Sequence, residues 1–110
     1  MEQLPPIILY KGATSVIDLD LSVFDMQEGH VLLIMCDRGS GAAIGEWRFD
    51  TQGVHQIVLD DDFTATLEIS DHRYEYGIVW ILPGGRRPKC APSRVEVKRI
   101  VGGYPHGSED

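Results

Sequence analysis

The stretch YEYGIVWIL, residues 74–82, decides the fold. It combines aromatic and β-branched residues, which favour strands, and PGG at residues 83–85 ends it with residues that turn the backbone sharply. Residues 78–82 are all apolar, so both alternating faces of the strand carry apolar side chains. The stretch therefore predicts a central strand that is covered on both faces.

Further strands are predicted on either side of this one. VLLIMC at residues 31–36 is a second continuous apolar run, which we expect to pair with the central strand. Alternating apolar and polar residues predict half-exposed strands at 15–21, 44–50 and 94–101, and a short run at 7–10 predicts an edge strand. Segments 54–59 and 63–69 predict a hairpin around the turn 60–62, because alternate apolar residues of the second segment would share one face.

These segments give about seven to eight short strands and no window with an amphipathic helical period. The pattern predicts an all-β protein, and we expect an antiparallel β-sandwich that is immunoglobulin-like. Residues 1–101 are predicted to form a single domain, since 110 residues are enough for one core. The turn-forming residues 102–110 predict a flexible carboxyl-terminal tail.

The net charge of −7 argues against nucleic acid or an anionic membrane as the main partner. No apolar run approaches the length of a membrane span, and the first residues lack the basic start and apolar core of a secretory signal. We therefore expect synthesis in the cytoplasm.

Basic residues are concentrated in the last quarter of this acidic chain. We expect Arg86, Arg87 and Lys89 to lie in one loop, spanning residues 83–92, and Arg94 and Lys98 to share the outer face of the next strand. Together these five residues predict a contiguous interaction patch for an acidic partner surface. The alternative is that they form a solvated outer face of strands and turns.

The sequence provides no motif for catalysis, for a cofactor or for a metal. GSG at residues 39–41 is followed by a strand instead of the helix that a dinucleotide loop needs. The acidic residues 60–62 are consecutive, whereas a calcium loop spaces its carboxylates, so a solvated turn is favoured over a calcium site. The remaining histidine and cysteine candidates have neither the spacing of metal ligands nor that of a catalytic triad. We therefore predict free thiols, no bound zinc and no enzymatic activity. These candidates are His30, His55, His72, His106, Cys36 and Cys90.

Aromatic residues leave two interpretations open. Trp47, Trp80, Tyr74 and Tyr76 could form a platform that stacks against a sugar, or they could belong to the core. The central strand favours a buried Trp80, and Tyr74 and Tyr76 are expected to brace the crossover that precedes it. The remaining candidate surface aromatics are Tyr10, Tyr104 and Trp47.

The order of these features resembles the immunoglobulin-like β-sandwich modules of phage baseplate and tail-fibre proteins, of the kind found at the amino end of upper baseplate subunits. KGAT before VIDLDL (residues 11–21) is similar to the opening turn and strand of that family. FDMQEG before VLLI (residues 24–34) is similar to its next turn and strand, and the segments 66–79, 84–85 and 95–97 match its last three strands.

The resemblance implies a non-enzymatic structural or adaptor module of a phage or prophage tail or baseplate. Such a module would assemble with itself or with neighbouring tail proteins and would be found in the virion. The alternative hypothesis is a small ligand-binding β-sandwich, of carbohydrate-binding type.

Overall fold

Ten strands and one short helix form the part of the chain that the structure describes. The structure is a computed structural model, which describes residues 2–22, 29–88 and 90–100, without the side chains of residues 2, 3, 87, 88 and 90. The strands are β1 (Glu2–Gln3), β2 (Ile7–Tyr10), β3 (Ser15–Asp20), β4 (His30–Asp37), β5 (Ala43–Phe49), β6 (Val54–Leu59), β7 (Ser70–Leu82), β8 (Gly85–Pro88), β9 (Cys90–Ala91) and β10 (Ser93–Lys98). The helix is α1 (Asp61–Ala65). The all-β prediction is confirmed, and the predicted tail 102–110 lies outside the described residues.

Strand β7 is the centre of a large sheet with the order β2–β10–β7–β4–β5. The continuous apolar run of β4 pairs with β7 over eight residue pairs, from His30 opposite Ile81 to Asp37 opposite Tyr74. Both the central position of β7 and its pairing with β4 are therefore confirmed. Strand β2 forms an edge of this sheet, as the short run at residues 7–10 predicts.

The large sheet is mixed, which corrects the prediction of a purely antiparallel fold. Strand β2 pairs with β10 in parallel, with Ile7 opposite Val95, and β1 pairs with β9 in parallel. Parallel neighbours need a long connection, and the whole chain between β2 and β10 supplies it. Local alternation of apolar residues does not report strand direction, so the sequence pattern could not reveal this pairing.

The predicted hairpin at residues 54–69 is wrong. Strand β6 pairs with β3 in a separate two-stranded sheet, and the segment that follows β6 forms α1. The side chain of Asp60 accepts the backbone N–H of Phe63 at 2.8 Å and so caps the helix, and Asp61 and Asp62 lie in its first turn. Acidic residues stabilise the amino end of a helix, so the expected solvated turn is a helix start.

Residues 83–92 also differ from the predicted loop. Strand β8 returns along the end of β7, with Gly85 opposite Leu82 and Arg86 opposite Ile81, and β9 follows it. Gly85 has a φ of 138°, which lets the backbone reverse directly after Pro83 and Gly84. Arg86 and Arg87 therefore lie on a strand.

One hydrophobic cluster joins the two sheets. It contains Leu19, Ile57 and Leu59 of the small sheet together with inward side chains of the large sheet. In β4, the side chains of Val31, Leu33 and Met35 are buried while the alternate ones are only half-buried, and β7 shows the same pattern over residues 74–79. The expectation that both faces of these strands are covered is therefore wrong for their second face within the described residues.

Candidate interaction surface

The half-buried side of the large sheet is the candidate interaction surface, and we call it the outer face. Strand register places on it one row of side chains from each strand. The apolar members are Ile8, Tyr10, Leu32, Ile34, Cys36, Val79 and Ile81, and the charged members are Glu46, Arg48, Glu75, Arg86, Arg94, Glu96 and Lys98.

Three residues of the predicted basic patch lie on this outer face. Arg94 and Lys98 project from β10, whose intervening residues Val95 and Val97 are buried. Arg86 is exposed and lies across from Ile81 on β8. The side chain of Arg87 is not described, and Lys89 lies outside the described residues.

The cations of β10 are paired with carboxylates on or beside the same face. Arg94 forms an ion pair with Glu96, and the Lys98 ammonium lies 3.1 Å from a Glu96 oxygen and 2.8 Å from an Asp71 oxygen. The Arg94 guanidinium, followed by Lys98, holds the pKa of Glu96 below its usual value, and Asp71, followed by Glu96, raises the pKa of Lys98. This row is therefore a charge-compensated row and not a cluster of free cations.

The sequence already indicates that the cations of β10 are paired with a carboxylate, although the predicted basic patch did not include one. Glu96 stands between Arg94 and Lys98 at a spacing of two residues, so all three project from the same face of a strand. The contribution of Asp71 could not be inferred in the same way, because it comes from another strand.

Apolar side chains lie on both sides of the charged row. On the edge strand β2, Ile8 is 51% exposed and Tyr10 is 46% exposed. On the other side, half-buried residues of β7 and β4 form a strip that is rimmed by Glu46 and Arg48 of β5. The sequence did not reveal this strip, because continuous apolar runs predict burial on both faces.

Cys36 belongs to the same strip, and its thiol is free. Burial raises the pKa of this thiol, and the carboxylates of Glu75 and Glu46 raise it further. A raised pKa leaves little thiolate at neutral pH, so the Cys36 thiol is not an activated nucleophile. The side chain of Cys90 is not described.

A second group of charged side chains, Asp37, Arg73 and Glu68, connects the β4–β5 turn to the start of β7. The Asp37 carboxylate accepts the backbone N–H of Gly39 at 2.8 Å and the Nε of Arg73 at 3.1 Å. These bonds, led by the one from Gly39, hold the pKa of Asp37 below its usual value. Arg73 also contacts Glu68 at 2.7 Å and lies over the Tyr74 ring, 5.8 Å from its centroid. Each guanidinium nitrogen of Arg73 thus contacts a carboxylate of the protein, so the group braces a turn.

Other candidates from the sequence do not converge. His30 begins β4, His55 contacts Thr51 and Phe49, and the backbone N–H of His72 bonds the Ser70 hydroxyl. Within residues 2–22, 29–88 and 90–100, no group of three His, Cys, Asp or Glu residues is arranged to hold a metal ion. His106 lies outside these ranges.

The aromatic residues divide between core and surface. Tyr74 and Tyr76 are buried, and Trp47 and Trp80 are half-buried against the core, with Trp47 packed edge-on against Phe63. Of the two interpretations left open, the core one holds for Tyr74 and Tyr76. Tyr10, a candidate surface aromatic, is exposed, whereas Trp80 is less buried than expected. Tyr104 is outside the described residues.

No protein-family model and no curated protein matches this chain. Among the helices of the described residues, none is long and apolar enough to cross a membrane.

Proposed function

We propose that this protein is a non-enzymatic structural or adaptor module of a phage or prophage tail or baseplate, and that it acts by protein–protein assembly through the outer face. In this proposal its fold is an immunoglobulin-like β-sandwich. It is made in the cytoplasm and is incorporated into the virion with copies of itself, with neighbouring tail proteins, or with both.

Strand order supports the immunoglobulin-like part of the proposal. The order β10–β7–β4–β5 corresponds to strands G, F, C and C′ of a variable-type immunoglobulin sheet, and β3 with β6 corresponds to strands B and E. The hydroxyl of Tyr74, at the start of the strand that corresponds to F, accepts the backbone N–H of Glu68 at 2.8 Å. This bond has the form of the tyrosine corner that many such sandwiches share.

The observation that carries the assembly function is the composition of the outer face. Apolar side chains of two central strands stay accessible there, with charged residues on both sides, and the charged row of β10 is compensated by ion pairs. Protein interfaces combine an apolar centre with a polar rim in this way. No observation on the described residues favours the carbohydrate alternative, because their aromatic rings do not cluster on the surface.

Sedimentation velocity across a salt series tests the assembly function. We expect self-association at low salt that weakens as the screening length falls below about 10 Å, because charges surround the apolar strip. Reversal of Arg86, Arg87 and Arg94 to glutamate should weaken it further. Tyr10→Asp places a charge on the outer face and should weaken it too, whereas Val54→Asp, at an even more exposed position of the small sheet, should not.

Two results would contradict the proposal. A chain that stays monomeric at low salt, and that also fails to co-purify with the products of its neighbouring genes, has no assembly function. Neighbouring genes that encode no tail proteins would remove the phage context while leaving an assembly function possible.

A further inference from the structure

A cleft of about 510 Å³ opens between β2 and β3, on the side of the molecule away from β5. One wall is formed by Pro6 and Ile8, the other by residues of β3 from Val16 onward. Its floor includes Leu33, Tyr76 and Ile78, which belong to the hydrophobic core. The cleft therefore gives solvent access to the space between the two sheets.

Both walls are free strand edges within the described residues. Strand β2 pairs only with β10, and β3 pairs only with β6. The Leu21 N–H bonds the Gly53 carbonyl at 2.8 Å, and the register from there to Ser15 opposite Leu59 has no bulge. Because antiparallel pairs alternate, the backbone groups of Val16, Asp18 and Asp20 must point to the free edge.

The edge of β3 lacks most of the features that protect strand edges. Natural edges are shortened, bulged, interrupted by proline, covered or given charged side chains, and of these features β3 has the charges of Asp18 and Asp20. Strand β2 has two prolines before it, and the Tyr76 hydroxyl binds the Pro5 carbonyl at 2.5 Å. Strand β3 is six regular residues long, and its Val16 side chain is 58% exposed. An added strand would thus pair with β3 more readily than with β2.

The negative charges beside the cleft determine which kind of added strand can pair with β3. Asp18 and Asp20 project outward beside the cleft, and neither forms an ion pair with a described cation. The Ser22 hydroxyl and N–H hold the pKa of Asp20 below its usual value, so this carboxylate is charged at neutral pH. A second copy that added its own β3 would oppose acidic residues to acidic residues, which destabilises cross-strand pairing.

We propose that the cleft accepts an extended segment of a partner protein, which adds to the free edge of β3 with basic side chains beside Asp18 and Asp20 and apolar side chains towards Leu33 and Ile78. In strand addition, main-chain hydrogen bonds provide affinity, and alternate side chains provide specificity. The inference rests on the proposed assembly function and adds to it a second site, which is separate from the central strip of the outer face and has its own class of partner.

The test uses two peptides, TVKVKVT and its acidic counterpart TVEVEVT, titrated into the whole chain and followed by amide chemical shifts. We expect the basic peptide to bind at least ten times more tightly than the acidic one. The largest shifts and new protection from hydrogen exchange should appear at Val16, Asp18 and Asp20. Asp18→Asn with Asp20→Asn should reduce the preference for the basic peptide at least threefold.

A matched pair of proline variants isolates the strand edge. Val16 and Val58 are cross-strand partners, are 58% and 60% exposed, and each directs its N–H away from the other strand. Proline is tolerated at such edge positions, so both variants should fold, which thermal melting checks. Val16→Pro should weaken basic-peptide binding at least tenfold, and Val58→Pro should leave it within twofold.

Several outcomes would overturn the proposal. These are no binding of TVKVKVT at millimolar concentration, equal binding of the two peptides, shifts confined to the outer face, or a dimer that forms through β3. If the Val16→Pro chain does not fold, the wild type provides the test: absence of new hydrogen-exchange protection at Val16, Asp18 and Asp20 on peptide addition would overturn the proposal. If the chain assembles in the salt series but does not bind the basic peptide, strand addition at the cleft is refuted and the proposed function stands. If the chain does not assemble, the proposed function is refuted.

Discussion

Gly29 packs directly against the backbone of Ile81. A Cβ atom added at Gly29 would lie 1.9 Å from the Ile81 carbonyl oxygen, a distance that no real contact allows. Gly29 also has a φ of 77°, in the left-handed region that favours glycine. The start of β4 can therefore approach the end of β7 only because residue 29 has no side chain.

We predict that Gly29→Ala destabilises the protein by more than about 2 kcal/mol, because backbone strain and a clash with a carbonyl add together. Gly41→Ala is the matched control: its φ is also 77°, and nothing lies within 4 Å of an added Cβ. It should cost about 1 kcal/mol, the strain alone. Urea denaturation of both variants measures the difference, and equal losses would contradict the clash.

The Tyr74 hydroxyl provides a second stability test. Tyr74→Phe removes the acceptor of the Glu68 N–H at a side chain that is only 3% exposed. The expected loss is about 1 kcal/mol in the free energy of unfolding. Tyr10→Phe, at a position 46% exposed, should change stability by less than about 0.5 kcal/mol. A Tyr74→Phe protein as stable as the wild type would show that this bond contributes nothing.

Acid should weaken the turn that Asp37 braces. The hydrogen bond from Gly39, and then those from Arg73 and Ser40, lower the pKa of Asp37 in the folded protein. Its stabilising effect is therefore complete above the unfolded pKa, near 3.8, and disappears as the pH falls through the folded pKa. Asp37→Asn should melt at a lower temperature than the wild type at pH 7, and the two should converge at acidic pH. A difference that is independent of pH would refute this linkage.

Cys36 should react slowly with thiol reagents. Burial and the nearby Glu75 and Glu46 raise the pKa of its thiol, so the thiolate is scarce at pH 8. In Cys90→Ser protein, which leaves Cys36 as the only thiol, we expect alkylation at least tenfold slower in the native state than in urea. Glu75→Gln should accelerate the native reaction, and the absence of any acceleration would remove Glu75 as a cause.

The strands that the sequence predicted best are those whose pattern is set by burial. The apolar run of β4 and the alternation of β3 and β10 indicate which side chains face the core, and Ile17, Leu19, Val95 and Val97 point as expected. Helix α1 was missed for a physical reason. Five residues are too few to display a helical period, and the capping role of Asp60 was interpreted as a turn.

The positions of the side chains on the candidate interaction surface were predicted only in part. Arg94 and Lys98 share a face because alternation within one strand is a local property. The Lys98–Asp71 ion pair and the pairing of Arg86 with Ile81 depend on how β7 aligns with its neighbours, and β10 meets β7 with a register shift between Val95 and Val97. Such alignment results from packing across the whole sheet, which local patterns do not encode.

The parallel pairing of β2 with β10 has a consequence for biosynthesis. Strand β2 leaves the ribosome before all the strands from β3 to β10, yet its hydrogen-bonding neighbour is β10, the last strand of the described residues. Contacts between segments so distant in sequence form slowly, because the chain must close a long loop first. The nascent polypeptide therefore cannot complete its large sheet before β10 has left the exit tunnel.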